Sequence, residues 1–192
     1  MHRLIAIGAS AGGLDAVCTL LTGLPEEFPV PIVLVQHRSR DSKELTSVLQ
    51  DCSRLKLRDI EDKMRYEKGC VYVAPPDYHT LVDADHFALS VDAPVNFSRP
   101  SIDVLFESAA DQLATAVIGI VLTGASRDGA RGLRRIVDRG GHVIVQDPTG
   151  AEMAIMPQGA LEAVPGACVL PLEAMAPYLT RMLEGASRWM QV

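Results

Sequence analysis

The sequence predicts an α/β protein: a doubly wound, mostly parallel sheet with helices on both faces and a β-hairpin insertion. Three observations predict it. The stretches 4–7, 32–35, 116–122 and 143–145 are apolar without alternation, as parallel strands covered on both faces must be. Segments with apolar residues at helical spacing alternate with them, which is the pattern of a strand–helix layered sheet. The exception lies at 79–82 and 87–91, which flank Asp83-Ala84-Asp85-His86 and read as an antiparallel hairpin.

The elements follow in order. Leu4-Ile5-Ala6-Ile7 is the first strand, Gly8-Ala9-Ser10-Ala11-Gly12-Gly13 a tight turn, and 12–21 a helix with Leu14, Val17, Cys18 and Leu21 inward. After a loop rich in proline and acid, the second strand closes on Gln36-His37. Asp41 caps a second helix, with Glu44 completing a capping box and Leu45, Val48 and Leu49 inward. A short strand at 71–74 is stopped by Pro75-Pro76-Asp77. Beyond the hairpin, 94–100 is a loop. Ser101 then caps a helix that carries Ile102, Leu105, Phe106, Ala109 and Leu113 on one face. The longest apolar run, 116–122, closes on Thr123-Gly124-Ala125-Ser126-Arg127-Asp128-Gly129. Ala130, Leu133, Ile136 and Val137 mark the buried face of the next helix, which Gly140-Gly141 ends. The strand at 143–145 closes on Gln146-Asp147-Pro148, and Met156-Pro157 opens a short helix. A last strand at 168–170 and a closing helix at 171–185 complete the reading. With no repeat and no linker, residues 1–192 are expected to form one domain.

Composition narrows the function. The net charge of −6 argues against a general nucleic-acid binder. Arginines gathered between 127 and 139 make a local basic face, either a solvated helix surface or a dock for an acidic partner. Cys18, Cys52, Cys70 and Cys168 show no C-x-x-C spacing and read as free thiols in a reducing cytosol. Gly8, Gly12, Gly13 and Asp15 break the N-terminal apolar run, so it is not read as a signal peptide. No stretch is apolar for long enough to span a membrane. A cytoplasmic protein is the expectation.

In a doubly wound sheet, ligands and chemistry collect beyond the carboxyl ends of the strands. There the sequence places Ser10, His37, Asp128 and Asp147. Gly8-x-Ser10-x-Gly12 between a strand and a helix is the form of a nucleophile elbow. The N–H groups of Ala11, Gly12 and Gly13 would open the helix and lack partners within it, a setting that suits developing negative charge. A serine hydroxyl needs a base, which His37 supplies, and the imidazole needs an acid, which either aspartate supplies. Asp147 before Pro148 reads first as a turn former, and His79 as a surface or supporting residue. The same 8–13 turn also approaches a dinucleotide fingerprint, so a nucleotide- or phosphate-binding module is the alternative. That reading lacks the acidic residue at the end of the second strand, where Gln36-His37 stand. A zinc site of His37, His79 and Asp128 lacks any recognisable ligand spacing.

Several ordered motifs resemble the catalytic domain of the chemotaxis protein-glutamate methylesterases. They are Ile5 through Gly13, Val35-Gln36-His37, Tyr72-Val73-Ala74-Pro75-Pro76-Asp77-Tyr78-His79, Arg99-Pro100-Ser101-Ile102-Asp103-Val104-Leu105-Phe106 and Leu122 through Ala130. Gln146-Asp147 and Met156-Pro157 fall in the same order, and the likeness runs from Leu4 to about Leu170. The resemblance implies a triad of Ser10, His37 and Asp128, choosing Asp128 over Asp147, with backbone oxyanion donors at Ala125 and Ala11. It implies hydrolysis of glutamate γ-methyl esters on the cytoplasmic helices of chemoreceptors, with release of methanol, no metal and no organic cofactor. Some members also deamidate receptor glutamines. Contact with the membrane would be only through the receptor, and the oligomeric state is left open. Two positions depart from the pattern: Ala11 stands where many members carry threonine, and Ala125 where many carry methionine. These domains often follow a phosphorylatable receiver domain, and this chain starts almost at the catalytic strand, so control of that kind is not expected within it. A catalytically idle scaffold for receptor helices is the remaining alternative.

Overall fold

The computed structural model describes residues 4–38 and 44–188, with the side chains of 185–188 left aside. Its strands are β1 (Leu4–Ala9), β2 (Ile32–Gln36), β3 (Lys56–Asp59), β4 (Cys70–Val73), β5 (His79–Asp83), β6 (His86–Ser90), β7 (Val117–Val121), β8 (His142–Gln146) and β9 (Cys168–Leu170). The helices are α1 (Gly13–Thr22), α2 (Leu45–Asp51), α3 (Ile102–Leu113), α4 (Ala130–Asp138), α5 (Ile155–Ala163) and α6 (Leu172–Arg188).

Seven strands form one sheet in the order β3-β4-β2-β1-β7-β8-β9, and every neighbouring pair is parallel. β5 and β6 make a separate antiparallel hairpin, as the sequence suggests. From β1 the chain winds outward to one side, then returns to lay β7 on the other side of β1. The switch point therefore falls between β1 and β7, where a doubly wound sheet leaves a crevice at its carboxyl edge.

Apolar side chains alternate between two cores because strand side chains alternate between faces. Ile5, Ile7 and Ala9 join Val17, Leu20, Leu21, Leu49 and Leu179 on the face covered by α1, α2 and α6. Leu4 and Ala6 join Phe87, Ile102, Phe106, Leu133 and Met156 on the face covered by the hairpin, α3, α4 and α5.

Four local expectations change. β3 was not foreseen: Lys-Leu-Arg-Asp carries no apolar run, because an edge strand buries one side only and its charges discourage further pairing. Asp41 lies outside the described residues; α2 begins after Glu44, without a side-chain cap. Leu14, Val48 and Val137 face solvent, so the buried stripes of α1, α2 and α4 are narrower than their apolar patterns. Finally, Cys18 and Cys52 are joined in a disulfide between α1 and the end of α2, 34 residues apart in sequence, and are not free thiols. Spacing along the chain could not reveal the pair, because it depends on how the two helices pack. Cys70 is a buried free thiol and Cys168 a half-buried one.

The arginines of the α4 side are answered by the chain's own acids. Arg131 pairs with Glu107 at 2.5 Å, Arg134 with Asp138 at 2.8 Å, and Arg135 and Arg139 both with Asp111 at 2.8 and 2.7 Å. Arg127 pairs with Glu162. The basic run in sequence is thus a surface of paired charges in the fold, which favours the solvated-face reading over a dock for acidic partners.

Candidate active site

Three turns meet at the switch point. The first follows β1. Ser10 N–H donates to Thr123 O at 3.0 Å, and Gly13 N–H donates back to Ser10 O at 2.8 Å. Gly12, the N-cap of α1, has a φ of 72°, a left-handed value that glycine adopts without strain. Gln36 Nε2 holds Ser10 O at 2.7 Å. Because Gly13 N–H is used inside the turn, only Ala11 and Gly12 of the three expected donors remain candidates for an anion.

The second turn follows β2. The register pairs Ala9 with Gln36, so the next residues, Ser10 and His37, leave the sheet side by side. His37 N–H donates to Ala9 O at 3.0 Å. The third turn follows β7. A Cβ at Gly124 would stand 2.9 Å from the Cβ of Ser10, so only glycine lets this turn approach the serine so closely. Thr123 binds the two turns together: its hydroxyl lies 3.0 Å from Ala11 O and accepts Met153 N–H at 2.8 Å. Its N–H donates to Gln146 Oε1 at 2.7 Å. Ala11 and Ala125, the residues expected to supply oxyanion donors, are both exposed on this edge.

His37 and Asp128 are brought together: His37 Nε2 lies 2.8 Å from Asp128 Oδ2. Asp128 is buried to 1% exposure and His37 is half-buried. The carboxylate sits over the start of α3. Oδ2 also accepts Ile102 N–H at 2.7 Å. Oδ1 accepts the Ser101 hydroxyl at 2.8 Å, Asn96 Nδ2 at 3.0 Å and Asp103 N–H at 3.2 Å. Burial pushes the Asp128 carboxyl up, but the bonds from His37, Asn96, Ile102 N–H and Ser101 outweigh it and hold the group below the ordinary carboxylate range. An ionised carboxylate only accepts, so Nε2 must carry the imidazole proton, which leaves Nδ1 with a lone pair.

Other candidates take different places. Asp147 Oδ1 accepts both the N–H and the hydroxyl of Thr149, as a turn former does. His79 is buried, not on the surface. Its Nδ1 accepts Ser101 N–H at 3.2 Å and its Nε2 contacts Ala93 O at 3.1 Å, so both ring nitrogens are engaged in holding the 93–101 segment. The conjectured zinc set is therefore not assembled, and among the described residues no group of three or more His, Cys, Asp or Glu is placed to hold a metal. The side chain of Glu152 packs over the turn, since a Cβ at Gly12 would stand 2.6 Å from its Oε2, and a carboxylate so close does not favour a phosphate there.

The residues that hold Asp128 were only partly visible in the sequence. Ser101 is the predicted cap of α3, accepting Val104 N–H, and also donates to Asp128. Asn96 had no local signal. It bridges Asp128 and the buried Asp103, donating to Asp103 Oδ2 at 2.8 Å. Asp103 in turn accepts Gly132 N–H at 2.7 Å. Burial, helped by the nearby Asp128 charge, pushes the Asp103 carboxyl up against those bonds.

A doubly wound sheet that gathers a serine, an imidazole and a buried carboxylate on adjacent turns of one edge defines the class: an α/β protein whose candidate site lies at the switch point. Comparison with known proteins narrows this. The sequence model of the CheB methylesterase family matches residues 5–179, and the chain belongs to that family. A Leptospira interrogans protein, provisionally named protein-glutamate methylesterase/protein-glutamine glutaminase, is 46% identical over 183 residues, covering 94% of this chain and 95% of its own. A Carboxydothermus hydrogenoformans protein named protein-glutamate methylesterase/protein-glutamine glutaminase 1 is 39% identical over 91% of this chain. The chain spans only 54% of that relative's length. The crystal structure of the Thermotoga maritima CheB methylesterase catalytic domain superposes with a TM-score of 0.91 at 30% identity, covering 95% of this chain and 99% of that one.

Proposed function

We propose that the chain is a serine hydrolase that demethylates glutamate γ-methyl esters on chemoreceptors and that Ser10, His37 and Asp128 carry the reaction. Family membership supports a carboxylic ester hydrolase. The observation that carries the residue assignment is the 2.8 Å contact between His37 Nε2 and the buried Asp128, on a register that sets His37 beside the Ser10 turn.

Asp128 holds the imidazole with its proton on Nε2, so Nδ1 is the base. Nδ1 takes the Ser10 proton as Oγ attacks the ester carbonyl. Backbone N–H groups of Ala125 and Ala11 hold the tetrahedral oxyanion. The imidazolium, stabilised by the carboxylate, then protonates the departing methoxide, and methanol leaves. Water, activated by the same nitrogen, attacks the acyl-enzyme and frees the glutamate carboxylate. A primary amide meets the same groups with ammonia as the leaving group, which accommodates the glutaminase activity in the relatives' names.

The receptor as substrate and a cytoplasmic location rest on the family. Among the described residues no helix is long and apolar enough to cross a membrane. The Cys18–Cys52 pair removes the free-thiol reading as support for a reducing compartment.

Methanol release from methylated receptor membranes tests the proposal. The wild type should release methanol, and Ser10→Ala should lower turnover by about 10⁶-fold, the scale seen on removal of a triad serine. Release by Ser10→Ala near the parent rate would refute the assignment.

A further inference from the structure

The segment between the hairpin and α3 holds a turn of which one central residue, Phe97, has no part in the catalytic steps. Val95 N–H donates to Ser98 O at 3.1 Å and Ser98 N–H to Val95 O at 2.9 Å, closing a two-residue turn. Both central residues have positive φ, 52° at Asn96 and 62° at Phe97, the signature of a type I′ turn. Asparagine tolerates this region and glycine is favoured beside it, whereas a bulky aromatic there is strained. Phe97 recovers nothing from the fold, because its relative exposure is 105%. A large apolar side chain is thus held in water on an unfavourable backbone.

Its surroundings give that arrangement a use. Phe97 shares with His37, Pro94 and Arg99 the wall of a cleft of about 290 Å³. The other central residue, Asn96, turns inward and donates to Asp128. One turn therefore fixes an aromatic ring at the mouth of the cleft and grips the carboxylate that orients the imidazole. Strain of this kind persists where the surroundings enforce it, and it gathers at ligand-contacting positions.

We infer that Phe97 is a substrate-reading residue, packing against an apolar side chain that flanks the esterified glutamate on the polypeptide substrate. This rests on the methylesterase reading above. An aromatic presented without rotational freedom of its backbone loses little entropy on contact, which is how interface anchors achieve their effect. A small ester that fills only the cleft lacks the flanking side chain and gains less from the ring.

The test compares two substrates, methylated receptor membranes and p-nitrophenyl acetate, with the wild type, Phe97→Gly and Phe97→Tyr. Phe97→Gly should lower the ratio of kcat/KM on receptor to kcat/KM on the small ester by about tenfold, through KM on receptor, as loss of an interface anchor does. Its Tm should equal or exceed that of the parent, because glycine suits the turn. Phe97→Tyr should restore the ratio. A ratio within twofold of the parent in Phe97→Gly, with the wild type active on both substrates, would overturn this inference and leave the methylesterase reading standing. A wild type inactive on both would overturn the two together.

Discussion

The turn after β1 and the turn after β7 lie side by side at one sheet edge and meet opposite physical demands. The first must present a hydroxyl, so small residues surround it: Gly8 and Ala9 at the end of β1, Ala11 and Gly12 in the turn and Gly13 at the start of α1. The second must bury a charge. Asp128 is 1% exposed, and burial without partners would neutralise a carboxylate. It stays ionised because donors converge on it from Asn96, Ser101 and the N-terminus of α3, which is itself the favourable end of the helix dipole. A nucleophile needs room, which local sequence can create. A buried acid needs donors, which distant sequence must deliver.

On the buried side, Asp128→Asn should cost most. Asp128→Asn should lower kcat about 10⁴-fold, the scale seen when a triad aspartate becomes an amide and the imidazole tautomer is lost. It should also flatten the acid limb of stability. Because the native Asp128 carboxyl is depressed, its contribution is present above the ordinary aspartate value of about 3.9 and is lost as pH falls through the native one. Urea titrations across pH 3–6 would check this; parallel curves for parent and variant would contradict it. Asp103, whose carboxyl is raised, works the other way, and its burial cost grows as pH rises through its native value.

Asn96→Ala sharpens the comparison, since it removes one donor and keeps the rest. A hydrogen bond to a charged group contributes about 1.5–3 kcal/mol, so a loss of about 10–100-fold in kcat/KM is expected. The carboxylate loses a bond that favours its charged form, so the acid limb of the pH–rate profile should move to higher pH. A profile that falls in height without moving would mean that Asn96 only supports the loop.

The smallest effect is expected at the arginine face. Arg131 is committed to Glu107 at the surface, and exposed pairs contribute about 0–1 kcal/mol. Arg131→Glu should leave KM on receptor membranes within about twofold; a rise well beyond that, with small-ester hydrolysis spared, would restore the face as a docking surface.

The same contrast explains what could be read from sequence. Strands buried on both faces announce themselves as unbroken apolar runs, and the Ser10 turn announces itself as glycines around a serine, so the sheet and that turn were legible. So was Ser101, because a helix cap is a local signal. β3 was silent, because its charged residues satisfy an edge. Asn96 was silent because its value lies in reaching Asp128, 32 residues away. The Cys18–Cys52 pair was misread and the arginines were left between two readings for the same reason: partners across helices leave no trace in local spacing.

The central claim is that the imidazole held by Asp128 activates the Ser10 hydroxyl. Labelling with a fluorophosphonate, followed by intact mass and peptide mapping, measures that activation directly. The wild type should gain one adduct, on Ser10, and His37→Ala should label slower by orders of magnitude. An adduct elsewhere, or equal labelling rates in the two proteins, would contradict it.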